Sequence, residues 1–309
     1  MRGEDTRRCP PEGWLAVGLM SGTSVDGLDA SLVGFAQDPK TGGWTWDLQA
    51  AVSWPYPESL RSSLWGAMEC SAEDLMRLDK AWATWAASKV GPWLASHGGR
   101  SPHVVGSHGH TVFHRPAEGW TFQLGCGATL HEALQLPVVN DLRRLDMASG
   151  GQGAPLVPKA DRDLFGSWDV ALNLGGFANL SLDLPNRGRV AWDVGPANLL
   201  LNRLVEERGL TMDRDGALAR EGNVIAHLLQ TWQALPFHAA SPPKSLGREW
   251  LEREVLPPAF QARDKAGLED VLATAIAYTS WAVARDVPDQ TRVLVTGGGA
   301  FNPALMDGL

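Results

Sequence analysis

Between Asp169 and Asn198 apolar side chains recur at every second position. They are Leu172 and Leu174, then Ala178, Leu180, Leu182 and Leu184, then Val190 and Trp192, while Asn173, Asn179, Ser181 and Asp183 take the alternate places. A period of two is that of a strand with one buried face. Gly175-Gly176 is a two-residue hairpin signal and Pro185-Asn186-Arg187-Gly188 a turn, so the spacing predicts a three-stranded meander. It ends on the carboxylate of Asp193, before Gly195-Pro196 redirects the chain and Asn198 is placed to cap a helix through Leu204. The same order occurs at the start of the chain. Trp14 to Met20 is an apolar run, Ser21 to Gly27 is turn chemistry, and Leu28, Ala30 and Leu32 alternate with Asp29 and Ser31. A third strand runs through Trp44, Trp46 and Leu48. The two copies share almost no residues, which predicts an internal duplication of architecture.

Between the copies, Pro57 to Glu69 and Ala72 to His97 carry helical spacing, the second with Leu75, Leu78, Trp82 and Trp85 on one face. Val104 to Gly106 reads as a short strand, Ser107-His108-Gly109-His110-Thr111 as a loop, Thr121 to Leu124 as a strand, Ala128 to Leu134 as a helix and Pro137 to Asp141 as one more strand. The run Gly150-Gly151-Gln152-Gly153-Ala154-Pro155 is too rich in glycine for regular structure and is placed at a hinge, with the lobes drawn as 1–142 and 143–309. Beyond the second meander, helices are expected over Leu199 to Glu207, Gly222 to Leu235 and Leu268 to Arg285, and a turn leading into a helix over Pro242 to Glu249. Arg292 to Thr296 is a strand. Gly297-Gly298-Gly299-Ala300 then opens into Asn302-Pro303, a cap followed by a first-turn proline.

Composition narrows the function classes. With 309 residues, 44% hydrophobic and 20% charged, the chain can fill two cores. A formal net charge of −8 without a lysine or arginine run disfavours nucleic acid and anionic membrane as partners. Cys9, Cys70 and Cys126 are odd in number and lack CxxC spacing, which supports neither a disulfide framework nor a thiolate zinc site. No run of eighteen apolar residues occurs, and the expected location is cytoplasmic. The fourteen tryptophans are scattered and read as packing residues.

Three glycine turns follow strands, at Gly22-Thr23-Ser24, Gly175-Gly176 and Gly297-Gly298-Gly299. Glycine lets backbone N–H groups approach phosphate oxygens, so three such turns on a duplicated scaffold point to a nucleotide held between lobes, although each alone suits a plain hairpin. GxxxxGK[ST] and a helix-opening GxGxxG are both missing, which disfavours P-loop and dinucleotide sites. Asp193 suits a general base fixed at a strand end, and equally a helix-initiating residue. His108 and His110 have the spacing of a metal pair but no convincing third ligand, so hydrogen bonding to a polar ligand or to backbone is the expected use and no metal site is assigned to side chains. Arg143 and Arg144, with Asp141 and Asp146 nearby, suit a clamp on an anionic substrate or an Arg/Asp network. Lys244-Ser245-Leu246-Gly247-Arg248 suits a carboxylate or phosphate site at a helix start, or a solvated cap.

At these residues the chain resembles the anhydro-N-acetylmuramic acid kinase family of the actin-like ATPase and sugar kinase superfamily. The resemblance rests on GLMSGTSVDGLDAS (Gly18 to Ser31), GSHGHTVFHRP (Gly106 to Pro116), NDLRRLDMASGGQGAPLVP (Asn140 to Pro158), LNLGGFANLS (Leu172 to Ser181), WDVGPAN (Trp192 to Asn198), PKSLGRE (Pro243 to Glu249) and VTGGGAFNPALM (Val295 to Met306). It implies an α/β, duplicated actin-like (ribonuclease H-like) two-domain fold with an interdomain cleft. The implied reaction, part of cell-wall recycling, is ATP-dependent opening of 1,6-anhydro-N-acetylmuramic acid by water with phosphorylation of O6. The alternatives are a conventional kinase of another sugar and a non-catalytic nucleotide- or muropeptide-binding remnant. The resemblance also implies Asp193 as catalytic base. ATP and Mg²⁺ would be held by Gly22, Thr23, Ser24, Val25, Asp26, Gly27, Leu28 and Asp29, by Gly175 and Gly176, and by Gly297, Gly298 and Gly299. Arg144, His108, Lys244, Ser245 and Arg248 would face the sugar, and a homodimer is a family-level expectation. Departures from the family pattern are Ala197 where glycine is usual, Leu246 for threonine, His110 for glutamine, and Lys159-Ala160 for Ala-Phe. Similar proteins continue past the GGGA helix with a further strand and helices that supply an acidic group, so the second lobe is expected to lack these within the 309 residues.

Overall fold

A computed structural model describes residues 13–22, 25–97, 99 and 101–309. Residue contacts divide it into two compact units, Met1–Leu156 and Val157–Leu309. The division falls after Leu156 rather than after Leu142, because the segment that begins at Arg143 is held in the first unit. Arg143 Nε donates to His108 Nε2 at 3.1 Å, and Met147 is buried there.

The first unit opens with the expected meander, β1 (Trp14–Ser21), β2 (Gly27–Gln37) and β3 (Trp44–Pro55). The chain then passes through α1 (Glu58–Trp65) and α2 (Ala72–Ser96) to β4 (Val104–Arg115), which pairs in parallel with β1. β5 (Trp120–Leu124) turns back antiparallel on β4, and α3 (Gly127–Leu134) leads to β6 (Val138–Val139), parallel to β4, and to α4 (Arg144–Ala148). The sheet order is β3-β2-β1-β4-β5. Helix α2 begins at Ser71, whose hydroxyl accepts from the Asp74 N–H, and it buries Leu78, Trp82, Ala83 and Ala86 against Val17 and Leu19 of the sheet.

The second unit contains α5 (Pro158–Leu164) and then β7 (Val170–Leu174), β8 (Phe177–Leu184) and β9 (Gly188–Pro196). Helices α6 (Asn198–Val205), α7 (Ala217–Glu221), α8 (Ala226–Gln233), α9 (Pro236–Ala239), α10 (Arg248–Trp250), α11 (Leu256–Ala266) and α12 (Leu268–Asp286) precede β10 (Val293–Thr296) and α13 (Pro303–Gly308). Its sheet order is β10-β7-β8-β9, with β10 parallel to β7. This repeats the β3-β2-β1-β4 order of the first unit strand for strand, so each unit is an antiparallel meander whose first strand takes a parallel partner after a helical crossover. Two units of this topology are what the actin-like resemblance implied. The core of the second unit forms where Leu172, Leu180 and Trp192 meet Leu200, Leu272 and Tyr278.

Two local expectations are corrected. The histidine segment is not a loop. Ser107–Thr111 lies inside β4, where the β1–β4 pairing steps from Leu19↔Ser107 to Ser21↔His110, one extra residue on β4. Gly109 sits in this bulge at φ +70°, and a Cβ there would come within 2.1 Å of the Leu124 carbonyl oxygen. Asn198 is not a cap either. It is the first residue of α6, and its Nδ2 donates to the Leu174 carbonyl at 2.9 Å, tying the helix start to the end of β7.

Candidate functional site

Asp193 lies near the end of β9, the edge strand of the second sheet, so its backbone is open to a further partner. The turn before α10 supplies one on both sides of the residue. The Asp193 N–H donates to the Lys244 carbonyl at 3.0 Å, and Asp193 Oδ2 accepts from the Leu246 N–H at 2.6 Å. The half-buried carboxylate is therefore held through Oδ2 on a backbone donor, which restricts its rotamer.

The neighbouring residue anchors the strand from the opposite face. Trp192 is buried, and its indole N–H donates to Asp286 Oδ2 at 2.7 Å. Lys244, expected to offer a cation to ligand, is turned into this same region. Its side chain is 8% exposed, with Nζ 3.9 Å from Asp286 Oδ2, 3.4 Å from the Phe237 carbonyl and 4.6 Å from the Phe237 ring centre. Burial lowers the Lys244 pKa, Asp286 opposes that, and Arg285 adds to it. Ser245 is half-buried in the turn, and Arg248 Nε donates to Glu252 Oε1 at 2.9 Å.

The glycine turns of the second unit stand side by side, because Thr296 of β10 registers with Asn173 of β7. Gly297 has φ +83°, and a Cβ there would approach Asn173 Oδ1 at 2.6 Å and the Leu174 carbonyl at 2.7 Å. A Cβ on Gly299 would meet Leu174 Cβ at 2.6 Å. Only glycine lets the second turn lie this close to the first. The carbonyls of Gly175 and Gly176 accept from the N–H groups of Asn198 and of Ala197 and Leu199, so the start of α6 is engaged by the first turn.

In the first unit, Gly22, Val25 and Asp26 form the turn between β1 and β2, and Gly27, Leu28 and Asp29 open β2. Thr23 and Ser24 lie outside the described residues. Leu28 is fully buried, Asp26 is exposed, and the Asp29 carboxylate accepts from the Ser53 hydroxyl. Behind the turn runs a buried chain of hydrogen bonds. Trp82 Nε1 donates to Tyr56 OH at 2.9 Å, Tyr56 OH donates to Ser21 Oγ at 2.7 Å, and Ser21 Oγ is 2.9 Å from His110 Nδ1. An indole only donates, so Tyr56 OH accepts from Trp82 and passes its own proton to Ser21 Oγ, which pairs in turn with His110 Nδ1. Burial, with the neighbouring His108, pushes the His110 imidazole down to about 4. His108 is pushed down to about 4 by burial and by the Arg143 guanidinium. It accepts from Arg143 on Nε2, so its proton is on Nδ1, which donates to the Gly109 carbonyl at 2.8 Å.

Arg144 stands apart from this group. It is exposed, pairs with Asp141 at 3.3 Å, and borders a cavity of about 600 Å³ lined by apolar side chains including Phe113, Trp120, Phe122 and Met147. Arg143, its neighbour, is the arginine that reaches His108. Among the described residues no cluster of three or more His, Cys, Asp or Glu side chains could enclose a metal ion, and no helix is long and apolar enough to cross a membrane.

Residues 14–309 match the anhydro-N-acetylmuramic acid kinase family. The chain belongs to that family. It is 40% identical to the anhydro-N-acetylmuramic acid kinase of Xanthomonas axonopodis pv. citri over 94% of this chain and 81% of the relative. With the Pseudomonas putida enzyme of the same name it shares 39% identity over 94% and 82%, and with that of Prochlorococcus marinus 37% over 95% and 83%. Two departures from the anhydro-N-acetylmuramic acid kinase pattern have a physical account in this geometry. Leu246 holds Asp193 through its backbone N–H, which any residue but proline supplies. His110 pairs through Nδ1 with the Ser21 hydroxyl, a partner that a glutamine amide can also hydrogen-bond.

Sequence reasoning missed Asp286, Tyr56, Trp82 and the contact of Arg143 with His108. The Trp192–Asp286 pair is separated by 94 positions and carries no local signal.

Proposed function

We propose that this chain carries out the anhydro-N-acetylmuramic acid kinase reaction with Asp193 as its general base. The reaction consumes ATP, water and the 1,6-anhydro sugar. Asp193 takes a proton from water as the water oxygen bonds to the anomeric carbon, the bond from that carbon to O6 breaks, and O6 takes the γ-phosphoryl group as ADP departs. A positioned base supplies about 10² to 10⁴ in rate.

The observation that carries this reading is the hold of the Leu246 N–H on Asp193 Oδ2, which keeps the carboxylate in one orientation near a strand end. We assign the phosphates of ATP to the turn at Gly22–Asp29 and to the glycines at 175, 176 and 297–299. The close approach of the Gly297 turn to Leu174 leaves that backbone without side chains, as a phosphate cradle requires. Mg²⁺ fits a site of this kind, since it is commonly held by one or two carboxylates with phosphate oxygens and water, and exposed Asp26 and Asp29 supply the carboxylates. When bound it neutralises charge on the transferred phosphoryl group. For the sugar, His108, Ser245 and Arg248 remain assigned, with Arg143 added through its bond to His108. Lys244 acts from within the fold, and Arg144 from the rim of the apolar cavity.

Turnover in ¹⁸O-water tests the reading. The sugar phosphate is expected to carry one ¹⁸O at the anomeric position, with exchange through ring opening subtracted by a control on preformed product. Phosphorylation of an ordinary hydroxyl sugar without label would contradict it.

A further inference from the structure

We infer that Asp286 is a positioning residue for Asp193, acting as a clamp that joins β9 to the Lys244–Leu246 turn. The inference rests on the assignment of Asp193 as base. Asp286 ends α12, and its side chain is 15% exposed. A carboxylate at a helix C-terminus faces the negative end of the helix dipole, so its presence there needs another reason. One carboxylate oxygen, Oδ2, serves both sides of the Asp193 contact. It accepts the Trp192 indole N–H at 2.7 Å and lies 3.9 Å from the Lys244 ammonium.

The geometry explains why this matters one residue away. Successive side chains on a strand point to opposite faces, so pinning Trp192 on the helix side sets where Asp193 emerges on the other. Lys244 is held by its ammonium, and its carbonyl accepts the Asp193 N–H at 3.0 Å, while two residues on the Leu246 N–H reaches Asp193 Oδ2 at 2.6 Å. Asp286 thus fixes both the strand that presents the base and the turn that orients it. Arg285, with Nε 3.8 Å from Asp286 Oδ1, and His238, whose pKa is lowered by burial and then by Arg285 and Lys244 while Asp286 opposes them, are further titratable groups at this point.

Two readouts test the clamp in the full-length protein. Hydrogen exchange at the Leu246 amide, resolved by fragmentation mass spectrometry, reads the contact without reference to catalysis. Asp286→Ala is expected to speed that exchange about tenfold or more while the centre of α12 stays protected. It should lower kcat about ten- to a hundredfold with KM for ATP and for the sugar within about twofold, since the loss lies in orientation and not in binding. Asp286→Asn, which keeps an acceptor for Trp192, should recover part of both effects. Trp192→Phe and Lys244→Met give the same test should the alanine variant fail to fold. An unchanged Leu246 amide in these variants overturns the inference whatever happens to turnover, as does loss of protection throughout α12 with both KM values raised. A Leu246 amide that opens while kcat is unaffected upholds the clamp and instead removes Asp193 from the role of base.

Discussion

The backbone N–H of Leu246 donates to Oδ2 of Asp193 at 2.6 Å across 53 positions of chain. This bond joins two segments that the sequence marks separately, the strand end WDVGPAN and the turn PKSLGRE. It makes the second a holder of the first. The side chain at 246 is thereby left free to vary, while the carboxylate at 193 gains a backbone donor that orients it.

The buried chain Trp82, Tyr56, Ser21, His110 predicts the effect of Tyr56→Phe. Removing the hydroxyl strips the Trp82 indole of its acceptor in a fully buried position and leaves Ser21 without its donor. Equilibrium urea unfolding should show a loss of about 1–3 kcal/mol. Because Ser21 precedes the Gly22 turn, the KM for ATP should rise as well.

Acid should destabilise the fold before carboxylates dominate. His108, His110 and His238 are buried and each is held down at about 4, chiefly by burial, against an unfolded value of 6.5. A depressed histidine pKa means that the unfolded chain binds the extra proton, so the stability from these groups is present above pH 6.5 and is lost as the pH falls toward 4. Each contributes on the order of 3 kcal/mol at neutral pH. Asp161, whose pKa is raised by burial, works in the opposite sense. Urea midpoints measured from pH 7.5 to 4.5 should fall steadily, and His238→Phe should flatten part of that slope.

Gly297→Val places a branched side chain at φ +83° and against Asn173 and the Leu174 carbonyl. The expected loss is about 1–3 kcal/mol of stability. ATP affinity, measured by calorimetry, should weaken further than that of Gly42→Ala, a glycine with open space around its Cβ direction.

Asn302→Ala removes the cap of α13, where the amide oxygen accepts from the N–H groups of Ala304 and Leu305 at 3.1 and 3.3 Å. The cost should be about 1 kcal/mol in thermal or urea unfolding, and Asn302→Asp should restore it.

The meanders were legible because alternation and paired glycines are local signals, and both reappear as β1–β3 and β7–β9. Asn302-Pro303 was legible for the same reason. His108-Gly109-His110 reads as a loop because a glycine between polar residues is also what a bulge needs, and only the opposing Leu124 carbonyl distinguishes the two. Asn198 reads as a cap because its type suits one, whereas its amide donates to the Leu174 carbonyl at the end of β7. Of the adjacent arginines, nothing local says that Arg143 reaches His108 and Arg144 the solvent. Asp286 could not be found at all from spacing, since its partners at 192 and 244 come from distant elements. The site is written in motifs, and its supports are written in tertiary packing.

The most direct test of Asp193 as base is the rate of ADP formation that depends on the 1,6-anhydro sugar, compared between the native chain and Asp193→Asn. Asparagine keeps an oxygen for the Leu246 N–H but cannot take a proton, so sugar-dependent ADP release should fall by about 10² to 10⁴ while ATP binding stays within about twofold. Sugar-dependent turnover at the native rate in Asp193→Asn would contradict the account.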